Sequence, residues 1–206
     1  MRKKLLIVGA GGHGKVIADI AVNLNKYDEI VFLDDTEKKE KCMTFSIVGC
    51  LKDIKNYIND YDIVVAIGNT KVRKQILEEL VKSNASIPTL IHPKAVIGSN
   101  VEFGYGTVVM AGAIINPDVK IGNGCIINTA ATVDHDCEIK DYTHISVGAH
   151  LAGNVKVGAS TWVGIGASVI NNICICDNVI IGAGATVVKD IIESGTYVGV
   201  PAKKIK

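Results

Sequence analysis

Ile121-Gly122-Asn123-Gly124-Cys125-Ile126-Ile127-Asn128-Thr129-Ala130-Ala131-Thr132-Val133-Asp134-His135-Asp136-Cys137-Glu138-Ile139 decides the fold, because within it an apolar residue returns at every sixth place, as Ile121, Ile127, Val133 and Ile139. Stepping by six in both directions extends the series from Ile91 to Val187 through 17 positions without an insertion or deletion, and every one holds Ile, Leu, Val or Phe. Four residues after these positions stand small or β-branched residues, such as Ala95, Val101, Thr107, Ala113, Val119, Cys125, Ala131, Cys137, Thr143 and Ala149. An α-helix needs a spacing of about 3.6 and a hairpin ladder needs plain alternation, whereas a sustained hexad marks a parallel β-helix. On an extended backbone the two phases point the same way, inward, and the residues between them turn a corner. Gly, Asn and Asp gather at those corners, as in Gly122-Asn123-Gly124 and Gly182-Ala183-Gly184, where left-handed or closely packed backbone is tolerated. Residues 91–206 are therefore expected to form a β-helix domain with a short C-terminal tail. Such a repeat also builds solenoids without chemistry, so by itself it specifies a fold and no function.

Outside the repeat the composition is ordinary: 206 residues, 48% hydrophobic and 21% charged, enough for one large or two small domains. A net charge of +1 leaves no electrostatic footprint for nucleic acid. No apolar run approaches a membrane span, and Met1-Arg2-Lys3-Lys4 leads into a short strand instead of a signal-peptide core, so a cytoplasmic protein is expected. Cys125 and Cys137 fall on inward positions, and Cys42, Cys50, Cys174 and Cys176 lack zinc-type spacing, so reduced thiols, mostly in the core, are expected.

Residues 1–90 carry a different pattern. The buried-strand run Leu5-Leu6-Ile7-Val8 enters Gly9-Ala10-Gly11-Gly12-His13-Gly14, after which Val16, Ile17, Ile20, Ala21 and Leu24 follow at helical spacing. Strand, glycine turn and helix together bring backbone N–H groups and a helix dipole to a phosphate. Asp34 and Asp35 close the strand Ile30–Leu33, placed to accept hydrogen bonds from a ribose or a base. A helix over Leu51–Ile58, a strand over Ile63–Ile67, a helix over Val72–Val81 and a strand over Ser86–Ile91 then use up the domain. That is one mononucleotide-binding half, Rossmann-like in its βαβ pattern but short of the two halves a dinucleotide spans. A single nucleotide or a nucleotide-linked substrate fits, with Gly68 and Asn69 at the carboxyl edge of the sheet; NAD binding and a purely structural turn are the alternatives. His92-Pro93 follows the last strand at once, so the two domains are expected to be rigidly joined.

Among the residues able to do chemistry, His135 takes the third place of its hexad, a corner facing away from the core, where a solvated surface histidine is the commoner occupant and a general base the alternative. His144 precedes an inward position and so points outward, toward a ligand or a neighbouring copy. His150 is read as interface or surface and Trp162 as packing. A metal site built from His135, His144 and His150 is conceivable, but no pattern of supporting residues around all three accompanies it and no metal is expected. Cys137, the nearest thiol, points inward, so no acyl-enzyme is expected.

The segments Gly9-Ala10-Gly11-Gly12-His13-Gly14, Phe32-Leu33-Asp34-Asp35, Ala66-Ile67-Gly68-Asn69, Asn128 to Cys137, His144 to Ala149, Ala152-Gly153-Asn154-Val155 and Val198-Gly199-Val200-Pro201-Ala202-Lys203 occur in one order over nearly the whole chain. In this combination the chain resembles the hexapeptide-repeat sugar acetyltransferases that include the bacillosamine-pathway UDP-4-amino-sugar N-acetyltransferases and the sialic acid O-acetyltransferases. The resemblance implies a left-handed, triangular prism, usually trimeric, with active sites between subunits. Residues one turn of about 18 apart then stack: Gly153 over His135, leaving open space above the ring; Asp136 between Asp118 and Asn154; His144 under Trp162. It further implies His135 as general base, with Asp136 where relatives often carry Glu. His144 and the backbones of Ile165 and Ala183 match acetyl-CoA contacts, and Gly11, Gly12, His13, Asp34 and Asp35 match contacts to the nucleotide of the substrate. Within that frame the Gly153 N–H is the candidate oxyanion donor, and Lys203, Lys204 and Lys206 face the CoA phosphates or solvent. The expected function is N-acetylation of a UDP-4-amino sugar from acetyl-CoA in bacterial surface glycan biosynthesis. O-acetylation of sialic acid or a related sugar, and a non-catalytic trimeric scaffold, are the competing readings.

Overall fold

The computed structural model describes residues 3–35 and 40–206, and the chain divides into two compact units, Met1–Pro93 and Lys94–Lys206. Met1 and Arg2, which begin the lead into the first strand, lie outside the described residues.

In the first unit β1 (Lys3–Val8) runs into α1 (Gly12–Leu24), followed by β2 (Tyr27–Leu33), β3 (Lys41–Cys42), β4 (Phe45–Gly49), a 3-10 turn (Leu51–Asn56), β5 (Asp62–Val65) and α2 (Thr70–Lys82). The sheet order is β3-β4-β2-β1-β5. β1, β2, β4 and β5 are parallel and β3 is an antiparallel edge. Leu5, Leu6, Ile7 and Val8 are wholly buried, which is why they form an unbroken apolar run. The chain leaves β1 toward β2 on one side and returns to β5 on the other, so the loops after β1 and β5 meet at the switch point where open α/β sheets bind ligands. Gly14 permits this packing: a Cβ there would lie 2.1 Å from the Gly9 carbonyl oxygen.

Several details depart from the sequence pattern. Val16 is 40% exposed, and Ala18 joins Ile17, Ile20 and Ala21 on the buried face of α1. The helix expected over Leu51–Ile58 is a 3-10 turn, because its burial stripe is too weak to hold an α-helix against the sheet; none of its residues is buried. The strand expected over Ser86–Ile91 shrinks to one bridge between Ser86 and Asp62 and a short β6 (Leu90–Ile91), since Pro88 interrupts it without an N–H to donate.

The second unit is a left-handed parallel β-helix. Two-residue strands recur in the hexad register, and each pairs in parallel with the strand 18 residues on, as Thr132↔His150 and Glu138↔Lys156. Three faces result. The first stacks strands from Val96–Ile97 to Thr186–Val187, the second from Glu102–Phe103 to Cys174–Ile175, and the third includes Ile126–Ile127, His144–Ile145, Trp162–Val163 and Val179–Ile181. Gly195–Val198 adds to the third face and Lys203–Lys204 closes it as an antiparallel edge. Ile115, Ile127, Val133, Ile145 and Val163 fill the axis at 0% exposure.

One corner column is held by Asn100, Asp118, Asp136, Asn154 and Asn172, all with φ between 57° and 64°. Asn and Asp tolerate this left-handed geometry better than other side-chain-bearing residues. Cys42, Cys125 and Cys137 are buried as expected, but Cys174 is exposed and Cys50 and Cys176 are partly so, because Cys174 takes the outward place of its strand. No helix among the described residues is long and apolar enough to cross a membrane.

Replacing the wholly buried Ile145 by alanine opens a cavity in the axis and is expected to cost about 2–4 kcal/mol. Ile114→Ala, on the outer surface at 39% exposure, should cost less than about 1 kcal/mol. Urea denaturation of both variants measures the difference.

Candidate active site

His135 stands on the corner between the first and second faces, just after Thr132–Val133. Its Nδ1 meets the Asp136 carboxylate at 2.7 Å, so the shorter aspartate does reach the ring. That hydrogen bond is the main reason the imidazole pKa is raised above 6.5. Asp136 makes this contact by turning away from its corner column, where Asn100 bonds Asp118 and Asn154 bonds Asn172. Asp134 steadies the same corner: its carboxylate accepts the His135 backbone N–H at 2.8 Å and the Asn116 amide at 2.6 Å, and these bonds hold its pKa below the ordinary value.

Gly153 lies over His135 as counting by turns implies, but the space above the ring is not open. A Cβ on Gly153 would come within 2.6 Å of both His135 Cε1 and Nε2, so the imidazole edge itself fills the room the missing side chain leaves. The Gly153 carbonyl accepts the Asn172 N–H at 3.0 Å, while its own N–H takes no partner among the described residues. Cys137 is fully buried, and burial pushes its thiol up to about 11, which removes it as a nucleophile near neutral pH.

His144 sits on the third face, stacked on Trp162 with ring centroids 5.7 Å apart and planes 4° from parallel. Trp162 is 48% exposed and packs over His144, as counting by turns implies. Both rings are anchored 16 residues back: His144 Nε2 to the Asn128 amide at 3.0 Å, and Trp162 Nε1 to the Ser146 hydroxyl. Ile165, 60% exposed, and Ala183 follow third-face strands one turn apart. His150 lies on the first face and bonds Thr132 at 2.9 Å. The three outer histidines are thus spread over separate parts of the prism, and among the described residues no group of three His, Cys, Asp or Glu side chains is placed to hold a metal.

In the first unit the glycine turn and the Ala66–Asn69 loop form the switch point. Added Cβ atoms at Gly11, Gly12 or Gly68 would meet nothing within 4 Å, so the backbone there is open to a ligand. Asp34 accepts the Ala10 N–H and Asp35 the Leu51 N–H at 2.8 Å, so each carboxylate fixes a loop at the carboxyl end of the sheet. Asn69 caps α2 by accepting the Val72 N–H. Among the described residues His13 Nε2 is buried without a hydrogen-bond partner, and burial, with Arg73 adding repulsion, lowers the His13 pKa to about 4, so the ring is neutral. Arg73 itself is 1% exposed and donates to the Ile67 and Gly68 carbonyls at 3.0 Å.

Arg73, Asn116, Asn128 and Ser146 escape the sequence reading. Arg73 carried a signal, a charge on the buried stripe with Leu77 and Leu80. The anchoring of His144 and Trp162 needed a count of 16, one turn less two residues, in place of 18.

Residues 4–80 match the family model of the PglD N-terminal domain. Over 112 residues the chain is 41% identical to the UDP-N-acetylbacillosamine N-acetyltransferase of Bacillus subtilis (strain 168), a stretch covering 53% of this chain and 52% of that protein, or about half the curated relative's length. The acetyltransferase domain of PglB from Neisseria gonorrhoeae FA1090, solved in complex with acetyl coenzyme A, is 41% identical with a TM-score of 0.96, over 100% of both chains. A histidine-to-asparagine variant of perosamine N-acetyltransferase from Caulobacter crescentus, solved with CoA and GDP-perosamine, is 33% identical with a TM-score of 0.94, covering 100% of this chain and 98% of that one.

Gly153→Ala is expected to displace the His135 ring without unfolding the prism. A displacement near an ångström lowers kcat/KM by about 100-fold, to be read from steady-state acetyl transfer beside an unchanged thermal melting curve.

Proposed function

Because the chain belongs to the sugar N-acetyltransferases that carry a PglD N-terminal domain, we propose that it transfers the acetyl group of acetyl-CoA to the amine of a nucleotide-linked 4-amino sugar, in the making of a bacterial surface glycan. The observation that carries this reading is the His135–Asp136 pair at an exposed prism corner, its Nε2 edge lying under the backbone of Gly153. Asp136 accepts a hydrogen bond from the His135 Nδ1–H, which leaves the Nε2 lone pair for the incoming amine. The amine nitrogen attacks the thioester carbonyl carbon and gives its proton to His135 as the C–N bond forms. The tetrahedral oxyanion accepts the Gly153 N–H, and collapse breaks the C–S bond, the thiolate leaving with the proton His135 holds.

His144, Ile165 and Ala183 supply the acetyl-CoA contacts in this scheme. They lie on or just beyond the third face, whereas His135 is at the opposite corner, between the first and second faces. Three copies side by side bring the corner of one against the third face of the next, so a homotrimer with sites between subunits fits the division. Gly11, Gly12, His13, Asp34, Asp35, Gly68 and Asn69 hold the nucleotide: open glycine backbone for the phosphates, carboxylates for ribose or base. UDP is favoured because the 41% identical relative is named for a UDP sugar, whereas GDP belongs to a relative at 33%. The same names favour N-acetylation over O-acetylation of sialic acid.

His135→Ala is expected to lower kcat/KM by about 10²- to 10⁴-fold, and turnover within a few-fold of the parent would remove His135 as base. Only neutral His135 accepts a proton, and Asp136 raises its pKa above 6.5, so kcat/KM should climb with pH through a limb above that value. Asp136→Asn removes the stabilising charge and should move the limb to lower pH while lowering the plateau.

A further inference from the structure

The two outer histidines 135 and 144 differ in what stands at Nε2. At His135 the neighbour is the side-chain-free Gly153, and the lone pair stays usable. At His144 it is the Asn128 side-chain nitrogen, 3.0 Å away. That amide cannot be turned round, because Asn128 Oδ1 accepts the Thr129 backbone N–H at 2.8 Å, and reversing it would set N–H against N–H. The Asn128 N–H therefore donates to His144 Nε2, and neutral His144 carries its proton on Nδ1. Trp162 then fixes the ring plane: it stacks nearly parallel on the imidazole and is tied by its own N–H to Ser146, which is 2% exposed.

From this geometry we infer that Asn128 and Trp162 are positioning residues that lock His144 as a neutral Nδ1–H imidazole of fixed orientation. The lock presents His144 to the cosubstrate in one orientation and bars it from acting as a second base. The inference rests on the proposed role of the third face in holding the cosubstrate. A neutral imidazole has one basic lone pair, and at His144 it is already spent on Asn128. His135 is thus left as the base, exposed at its corner, whereas His144 is half-buried under Trp162.

Long-range 1H–15N spectra of the labelled full chain at pH 8, with His144→Gln to assign the signal, read the tautomer without any turnover. The parent should show His144 as Nδ1–H, and Asn128→Ala should bring in the Nε2–H form; an Nε2–H parent signal overturns the lock. In kinetics, Trp162→Ala should raise KM for acetyl-CoA about five- to tenfold, the size of one weakened polar contact, with kcat within about twofold. Trp162→Phe, which keeps a stacking ring, should recover most of the loss and guards against misfolding of the alanine variant. An unchanged KM in a folded Trp162→Ala protein overturns the positioning role. A parent that consumes no acetyl-CoA with any amino sugar sinks the proposed function instead, and the tautomer spectrum still decides the lock.

Discussion

Parallel pairing between residues 18 apart is the constraint on which the β-helix and its chemistry depend. Each backbone N–H and C=O of a short strand is satisfied only by the turns above and below, so the spacing tolerates no drift. One inserted residue would turn the inward apolar column outward for the rest of the chain. The same ladder sets distances between corner side chains to a fraction of an ångström, which loops on a looser scaffold do not achieve. Gly153 is over His135 and Trp162 over His144 for one reason, that the ladder brings them there.

Chemistry enters where a side chain leaves the regular pattern. Four members of the Asn/Asp corner column pair along the prism, whereas Asp136 turns sideways to His135. At Gly153 the structure gives up a side chain so that a ring can occupy its place. On the third face two aromatic rings stack outward instead of yielding to aliphatic packing, each tied to a polar residue one turn down. In the first unit a buried arginine and an unpartnered histidine nitrogen lie beside glycine backbone at the switch point of the sheet. A buried polar atom without a partner carries a cost of a few kcal/mol, and among the described residues His13 Nε2 is such an atom, beside the open backbone of Gly11 and Gly12.

The architecture was largely legible in the sequence. Hexad periodicity is strong because the axis admits only apolar residues, and counting by turns found the His135–Gly153 pair. It could not tell whether the glycine leaves a slot or makes room for the ring, since that depends on the rotamer His135 takes when Asp136 draws its Nδ1. Counting by turns also places Trp162 over His144, but the Ser146 hydroxyl that holds the indole N–H lies 16 residues back, a spacing the turn count does not reveal. The weaker elements around Leu51 and Ser86 were misjudged because local apolarity there is not matched by a surface to bury against. Asp34 and Asp35 follow the end of β2 as the pattern implies, though their hydrogen bonds to backbone follow from loop paths no spacing reveals.

The central claim is that an acetyl group passes from acetyl-CoA to the amine of a nucleotide-linked sugar at this corner. Its most direct test is CoA release measured with a UDP-4-amino sugar, the matching GDP-4-amino sugar and sialic acid as acceptors, with product mass confirming one added acetyl group. The account predicts turnover with the UDP amino sugar, less with the GDP analogue and none with sialic acid. Acetylation of sialic acid alone, or no CoA release with any acceptor, would contradict it.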